Sequence, residues 1–425
     1  MDDDERRIVT FTAAAHGLVH TYELSIPILL TVWIAEFSTT AAALGVVVTV
    51  GYGLFGVGAL PGGVLVDRFG SKPLILACLI GMAAAFVAAG LAPTLGTLAV
   101  AIAAWGLTAS VYHPAGLALL SNAVDRRGIA LGYHGIGGNL GIALGPLATA
   151  LLLMAFDWRV VAGLLAIPAL VVAAYGVTVD VRSALPADEA SGSTDGTGDP
   201  EAERSRSKGE ISAATFLADT RTLFTLGFVL VLFFVTFSGL YYRAFLTFLP
   251  DLLGETLAGL IEFDLIDPDS PFADEFDPAR YLYVAILTVG VAGQYMGGRI
   301  ADRLAPERGL IYVMGVLTAL ALLFVPASAA VPTFLAVSLL LGVALFMIQP
   351  LSQATVAAYS DPDSRGLSFG YTYLAIFGIG ALGAGIAGTV LTVAGSRELF
   401  IILAIIAAAG AISAAAVGRY GTRRD

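Results

Sequence analysis

The sequence predicts an all-α polytopic membrane protein, twelve transmembrane helices arranged as two six-helix halves. Three observations carry that prediction. Of 425 residues, 57% are hydrophobic and only 13% charged, against about 25% charged in a soluble domain. Twelve apolar stretches, each near the roughly 20 residues that cross a bilayer as a helix, fall into two groups of six. Motifs of the first group recur in the second at a nearly constant offset. So few charges cannot keep so much apolar side chain in water, and the bilayer is the main solvent.

The first half covers residues 1–179, with apolar stretches at about 8–36, 41–63, 73–91, 95–120, 129–154 and 158–179. A linker at 180–220 follows. Its 25-residue core, PADEASGSTDGTGDPEAERSRSKGE, holds no aromatic or branched aliphatic residue, so it buries too little surface to fold and is predicted to be disordered. The second half, 221–425, has stretches at about 221–249, 281–300, 309–328, 332–357, 367–393 and 396–418. Lys and Arg gather on the cytoplasmic side of membrane proteins. With the N-terminus inside, 18 of the 22 basic residues fall on inner segments, so both termini and the linker are expected in the cytoplasm, and the protein in the cell membrane. The outer loop at 251–279 carries nine acids and no base. It reads as a solvated loop or as a vestibule that collects cations.

Composition also excludes other classes. The single cysteine, Cys78, lies inside an apolar run, which removes disulfides and cysteine-based zinc or iron–sulfur sites. The opening MDDDERR runs straight into a long span, so no cleavable signal peptide is expected. No basic stripe is present to neutralise phosphates, so nucleic acid is not an expected partner. The net charge of −11 sits mostly in loops and tails, and over the whole chain 20 arginines face two lysines and 21 aspartates outnumber 12 glutamates. Such loops are halophile-like. An enzyme of the histidine-box type would need about twice the four histidines present to ligate its metals. The chain is not expected to be an enzyme, and no cofactor is expected.

The repeat is specific. Gly62-Gly63-Val-Leu-Val-Asp67-Arg68 after the second stretch matches Gly297-Gly298-Arg-Ile-Ala-Asp302-Arg303 after the eighth, at an offset of 235 residues. Arg127-Gly128-Ile-Ala-Leu-Gly132-Tyr133 matches Arg365-Gly366-Leu-Ser-Phe-Gly370-Tyr371 at an offset of 238, and Pro114 pairs with Pro350. Parallel repeats of this kind hold a substrate site between their halves near mid-membrane.

The stretch Gly63-Val-Leu-Val-Asp67-Arg68-Phe-Gly70-Ser-Lys72 resembles the loop 2–3 signature of the major facilitator superfamily, and the whole chain fits that plan. More narrowly, Tyr112-His113-Pro114 and Gly137-Gly138-Asn139-Leu-Gly141-Ile-Ala-Leu-Gly145-Pro146 resemble the fosmidomycin resistance protein and its relatives. His16, Tyr22 and Pro27 match that group's first span, with His20 in place of its usual acid. Gly132, Gly141, Gly145 and Pro146 resemble the antiporter motif of drug–proton exchangers, although Thr149 and Ala150 stand where paired glycines are expected. The resemblance implies a transporter whose loop 2–3, at Gly63, Asp67, Arg68, Gly70 and Lys72, gates alternating access. Gly298, Asp302 and Arg303 would be its counterpart in loop 8–9.

The residues bear on this physically. An aspartate at a helix end can pair with a neighbouring helix N-terminus, where the dipole favours an anion; a topogenic charge cluster is the alternative. Gly137, Gly141 and Gly145, spaced four apart, let two helices approach closely, which would explain them without antiport. Two G-x-G-x-x-G stretches, 51–56 and 378–383, lie inside spans, so they read as packing glycines rather than a nucleotide site.

Ionisable residues inside spans are costly and mark function. His16, His20 and Glu23 share one face of the first span, and His16, His113 and His134 each lie roughly 8–12 Å from the inner end of their helices. Such a set could pass and hold a proton. His113 could instead bond a carbonyl freed by Pro114. Arg243 is placed to pair with Glu23 or an anionic substrate, or to snorkel outward. Asn139, Gln294, Gln349 and Gln353 are candidate cavity donors. No metal is expected, because no adequate second shell of acids is evident around the histidines. The expected function is proton-coupled export, by antiport, of a small amphipathic or anionic compound by a monomer. Import by a proton symporter or a facilitator is the alternative.

Overall fold

A computed structural model describes residues 1–181, 220–260, 276–359 and 365–421. These are helical apart from short turns, and no strand occurs among them. This is the fold a bilayer requires of a chain that must satisfy its own backbone polar groups. The predicted linker lies almost wholly outside the described residues, as does 261–275 of the predicted outer loop.

Twelve spans are seen. In the first half they are Asp3–Glu36, Ala41–Phe69 (broken at Gly58), Ser71–Gly90, Leu95–Ala123 (broken at Ser110 and Val111), Arg127–Leu153 and Trp158–Thr178. In the second they are Leu226–Thr247, Pro278–Ala301, Pro306–Ala327, Val331–Ala358, Arg365–Val393 and Ser396–Gly421. Eleven are long and apolar enough to cross a membrane on those criteria alone. Span 8 falls short because tyrosines, glycines and Gln294 dilute its apolar residues. Thr40, Thr94, Asp157, Thr225 and Asp277 cap helix N-termini with side-chain oxygens, satisfying donors left open there. Asp2 and Glu5 form a capping box on span 1.

One expectation is corrected. The segment after span 7 does not start as a loop, because Leu249–Leu260 forms a further helix. Leu249, Leu252, Leu253 and Leu257 bury one face, while Asp251 and Glu255 stay outside.

The repeat seen in the sequence is also a repeated contact. A Cβ on Gly62 would lie 2.8 Å from the Pro114 ring, and one on Gly297 would lie 2.8 Å from the Pro350 ring. Gly63 and Gly298 meet nothing within 4 Å, so the contact-making glycine of each motif is the first of the pair.

Within the halves, span 1 lies on span 5, span 3 on span 6, span 8 on span 10 and span 9 on span 12. Between the halves, span 2 runs along span 11 and span 5 along span 8. Gly137, Gly141 and Gly145 rest on Ala13, Gly17 and Thr21 of span 1, two rows of small residues in register. Any side chain larger than hydrogen at Gly141 would collide with the Gly17 backbone. Gly132 meets nothing within 4 Å, so that member of the antiporter-like motif takes no part in the packing. Thr149, where a glycine was expected, ties the same two spans through a 2.7 Å hydrogen bond with the Ser25 hydroxyl.

The halves are closed at the end away from the termini. The Ala42 N–H donates to Thr392 Oγ1 at 2.9 Å, and Tyr281 O–H to Met154 Sδ at 2.7 Å. A Cβ on Gly45 would lie 2.8 Å from the Ala384 carbonyl oxygen. Span 11 is wound as a π-helical turn over Leu374–Ile379, and its Gly378 sits directly against Gly56 of span 2. Gly51, Gly56, Gly380 and Gly383 of the two G-x-G-x-x-G stretches likewise lie against neighbouring backbone, while Gly53 has only the Ala381 side chain 4.0 Å away.

Candidate functional site

The close approach of spans 1 and 5 sets the site, because it brings the next face of span 1 against the bundle axis. A cavity of about 180 Å³ lies there between the halves. His16, His20 and Glu23 of span 1 and Asn139 of span 5 line one side; Gln294, Gln349 and Gln353 of spans 8 and 10 line the other. Gln294 Nε2–H donates to Gln349 Oε1 at 2.7 Å. The lining runs from Glu23 to Gly135, Gln353 and Phe369, which lie near the helix ends on the side of the termini. The cavity therefore reaches from mid-bundle toward that side.

At its deep end Glu23 Oε1 meets Arg243 Nη2 at 2.6 Å, and both side chains are almost fully buried. The pair joins span 1 to span 7 and so bridges the halves. Arg243 does not snorkel outward: its guanidinium lies 3.8 Å from the centre of the Tyr52 ring, a cation–π contact that helps hold a buried cation. Tyr52 O–H in turn donates to the Glu23 carbonyl oxygen at 3.2 Å. The second carboxylate oxygen of Glu23 accepts from His20 Nδ1–H at 2.7 Å.

All four histidines gather beside this pair. His16 stacks on His134 with ring centres 3.9 Å apart, and its centre is 4.8 Å from His20 and 5.4 Å from His113. His16 Nδ1–H donates to the His134 carbonyl oxygen at 2.8 Å. Tyr112 O–H donates to the Thr12 carbonyl oxygen and lies 3.2 Å from His134 Nε2. His113 is held by edge and stacking contacts with Phe55, Tyr373 and Phe377. Its neighbours are aromatic rings rather than a carbonyl freed by Pro114.

The expected gating residues lie apart from this cluster. Lys72 Nζ–H donates to the carbonyl oxygens of Val177 and Val179, at 3.0 and 2.6 Å, and so caps the C-terminus of span 6 in its own half. Arg68 lies over the neighbouring Phe69 ring, and Gly70 turns the chain with φ of +80°, a conformation glycine adopts freely. The Asp67 side chain lies outside what is described. Asp302 and Arg303 are exposed. Near this loop the halves do meet, a Cβ on Gly370 falling 3.0 Å from Leu60 Cδ2.

Sequence reasoning missed Tyr52, Tyr242, Phe346, Tyr373 and Phe377, which wall or brace the site. A tyrosine or phenylalanine inside an apolar span looks like any core residue, so periodicity gave no signal for them.

A twelve-span bundle of two repeated halves, closed at one end over a central cavity lined by aromatic, aliphatic and a few polar side chains, is the architecture of a multi-pass membrane transporter and not of an enzyme. The chain belongs to the Major Facilitator Superfamily, whose family model matches residues 11–262 and 272–424. It is 37% identical over 108 residues to the puromycin resistance protein of Streptomyces alboniger, covering 25% of this chain and 22% of that one. It is 36% identical over 100 residues to an uncharacterised MFS-type transporter of Mycobacterium tuberculosis, covering 23% and 24%. The chain thus spans about a quarter of the length of the curated relatives it matches. Its fold is similar over 99% of its length to an inward-facing bacterial homologue of the human lysosomal transporter Spinster, with a TM-score of 0.74 at 14% identity and 98% coverage of that chain. A D-xylose–proton symporter has a TM-score of 0.71 at 14% identity, over 95% of this chain and 96% of that one.

Proposed function

We propose that this protein is a proton-coupled exporter that exchanges protons for a small amphipathic or anionic compound by alternating access. The observation that carries the reading is the buried Glu23–Arg243 pair at the deep end of the cavity, shared between halves and extended by His20. A carboxylate that takes a proton loses its grip on Arg243, so protonation and the relative position of the halves are linked. An anion entering from the cavity competes for the same guanidinium. The aromatic walls and paired amides suit an amphipathic compound, and the partial match to a puromycin resistance protein agrees with export. The kinship to the fosmidomycin resistance group, carried by Tyr112, His113 and Pro114, points the same way. The test is transport by purified protein in inside-out vesicles, screened across compound classes. An acidic lumen should drive substrate accumulation; accumulation driven only by an alkaline lumen would indicate symport and overturn the reading.

In this proposal the termini and the segment near residue 200 face the cytoplasm of a plasma-membrane protein, supported by the placing of 18 of 22 basic residues. In a Cys78→Ala background, a cysteine introduced at Ser193 should resist impermeant thiol reagents in intact cells, while one at Ser270 reacts. The reverse labelling would invert the topology.

Asp67 is assigned to gating, supported by its repeat at Asp302. Asp67→Asn should slow turnover severalfold yet leave substrate affinity within a few-fold, because it alters the balance of facing states rather than the cavity. Unchanged turnover would reduce the motif to a topogenic charge cluster.

A further inference from the structure

The histidine cluster contains a contact that calls for an electrophile, either a shared proton or a metal cation. A carbonyl oxygen only accepts, so His16 Nδ1, 2.8 Å from the His134 carbonyl, carries the ring's hydrogen. A carboxylate paired with arginine also only accepts, so His20 Nδ1, 2.7 Å from Glu23, carries the hydrogen there. Each neutral ring is left with a bare lone pair on Nε2. Those two Nε2 atoms face each other at 3.1 Å, an arrangement that repels unless an electrophile joins them. His113 supplies a third ring nitrogen, and the ligand atoms of the three rings all lie within 4.8 Å of one another.

We propose that His16, His20 and His113 form a binding site for a transition-metal cation of the zinc class. A zinc–nitrogen bond of about 2.0–2.1 Å puts tetrahedral nitrogens roughly 3.3 Å apart, so the His16–His20 spacing is close to final, and the His113 nitrogen, within 4.8 Å of the other two, has to draw in by up to about 1.5 Å. Ligating histidines donate their second N–H to a carboxylate or a backbone carbonyl, which fixes tautomer and ring orientation. Glu23 and the His134 carbonyl do this for two of the three rings. Glu23 is thus the second-shell acid that the sequence did not reveal, because its role depends on how the rings are turned. All-nitrogen ligation favours zinc, copper or nickel over magnesium or calcium. His16 and His20 line the cavity, so the remaining coordination position opens on it, where water or an anionic donor completes the sphere. The site stands on geometry alone and does not depend on the transport reading.

The test is equilibrium binding of Zn2+ and Co2+ to purified, tag-free, full-length protein, with no transport measured. One saturable site per chain is expected, with intense visible absorption of tetrahedral Co2+ that Zn2+ displaces. Cys78→Ala should leave it unchanged. His16→Ala, His20→Ala and His113→Ala should each weaken binding at least 100-fold while thermal unfolding stays cooperative, and Glu23→Gln should weaken it by about 10–100-fold. His20→Gln, which keeps volume and polarity, covers the case in which an alanine variant fails to fold. Absence of saturable binding, or binding indifferent to these substitutions, overturns the site. So does loss in the His16 and His20 variants alone, because a proton shared between two rings needs no contribution from His113.

Discussion

Glu23→Gln should abolish uphill transport driven by a pH gradient, while exchange of substrate down its own gradient should survive. The glutamine amide keeps nearly the volume of the acid and mimics its protonated form, so the cavity keeps its shape and polarity. What it loses is the change of charge. In the wild type the carboxylate binds Arg243 at 2.6 Å across the halves, and in the proposed mechanism releasing that contact is tied to taking up a proton. With glutamine the contact is permanently weak, both facing states are reached without a proton, and the gradient performs no work. The check is proton flux measured beside substrate flux in the same vesicles. Uphill transport at the wild-type stoichiometry would remove Glu23 from the coupling role and the first span with it. His16→Ala or His134→Ala should instead slow proton delivery and shift the pH optimum, since these rings flank the pair rather than form it.

The second large effect is on stability. Arg243→Met should destabilise the protein by about 3–5 kcal/mol, the cost of removing one partner from a buried ion pair, read as a large fall in Tm in detergent. Methionine replaces the stem of arginine but leaves the Glu23 carboxylate buried with only His20 as partner. It also removes the cation over the Tyr52 ring. The double variant Arg243→Met with Glu23→Gln should recover most of the loss, because two apolar or neutral groups in place of a buried pair can be nearly neutral in stability. If the double variant melts no higher than the single one, the pair is not what holds spans 1 and 7 together.

Much of the architecture was legible in the sequence because lipid imposes a strong rule. Every spanning segment must satisfy its own backbone, so apolar length alone marks helices, and even span 8, diluted by polar residues, was legible as the apolar stretch at about 281–300. The meeting of His16 and His134 could be anticipated in depth but not in direction. Helix rotation is set by the Ala13-Gly17-Thr21 row against Gly137-Gly141-Gly145, and that match exists only once two segments are placed together. The helix Leu249–Leu260 was hidden for the opposite reason. Its acids on the outer face gave it a loop-like composition, whereas its leucines are legible only at helical spacing. Lys72 was read as part of a gate, but its amine caps span 6, a carbonyl acceptor that no sequence motif displays.

The seal between spans 2 and 11 is made of apposed backbone, with Gly45 at Ala384, Gly56 at Gly378 and Gly388 at Ala41. A seal of this kind has no ions to hydrate when it parts and none to dehydrate when it re-forms. In concentrated brine, where the screening length falls to about 3 Å at 1 M, charges at the membrane surface cease to grip one another, yet two surfaces that fit by shape alone stay equally adhesive. The strength of this closure therefore does not rest on charge pairing, and it should persist as ionic strength rises, where surface ion pairs weaken.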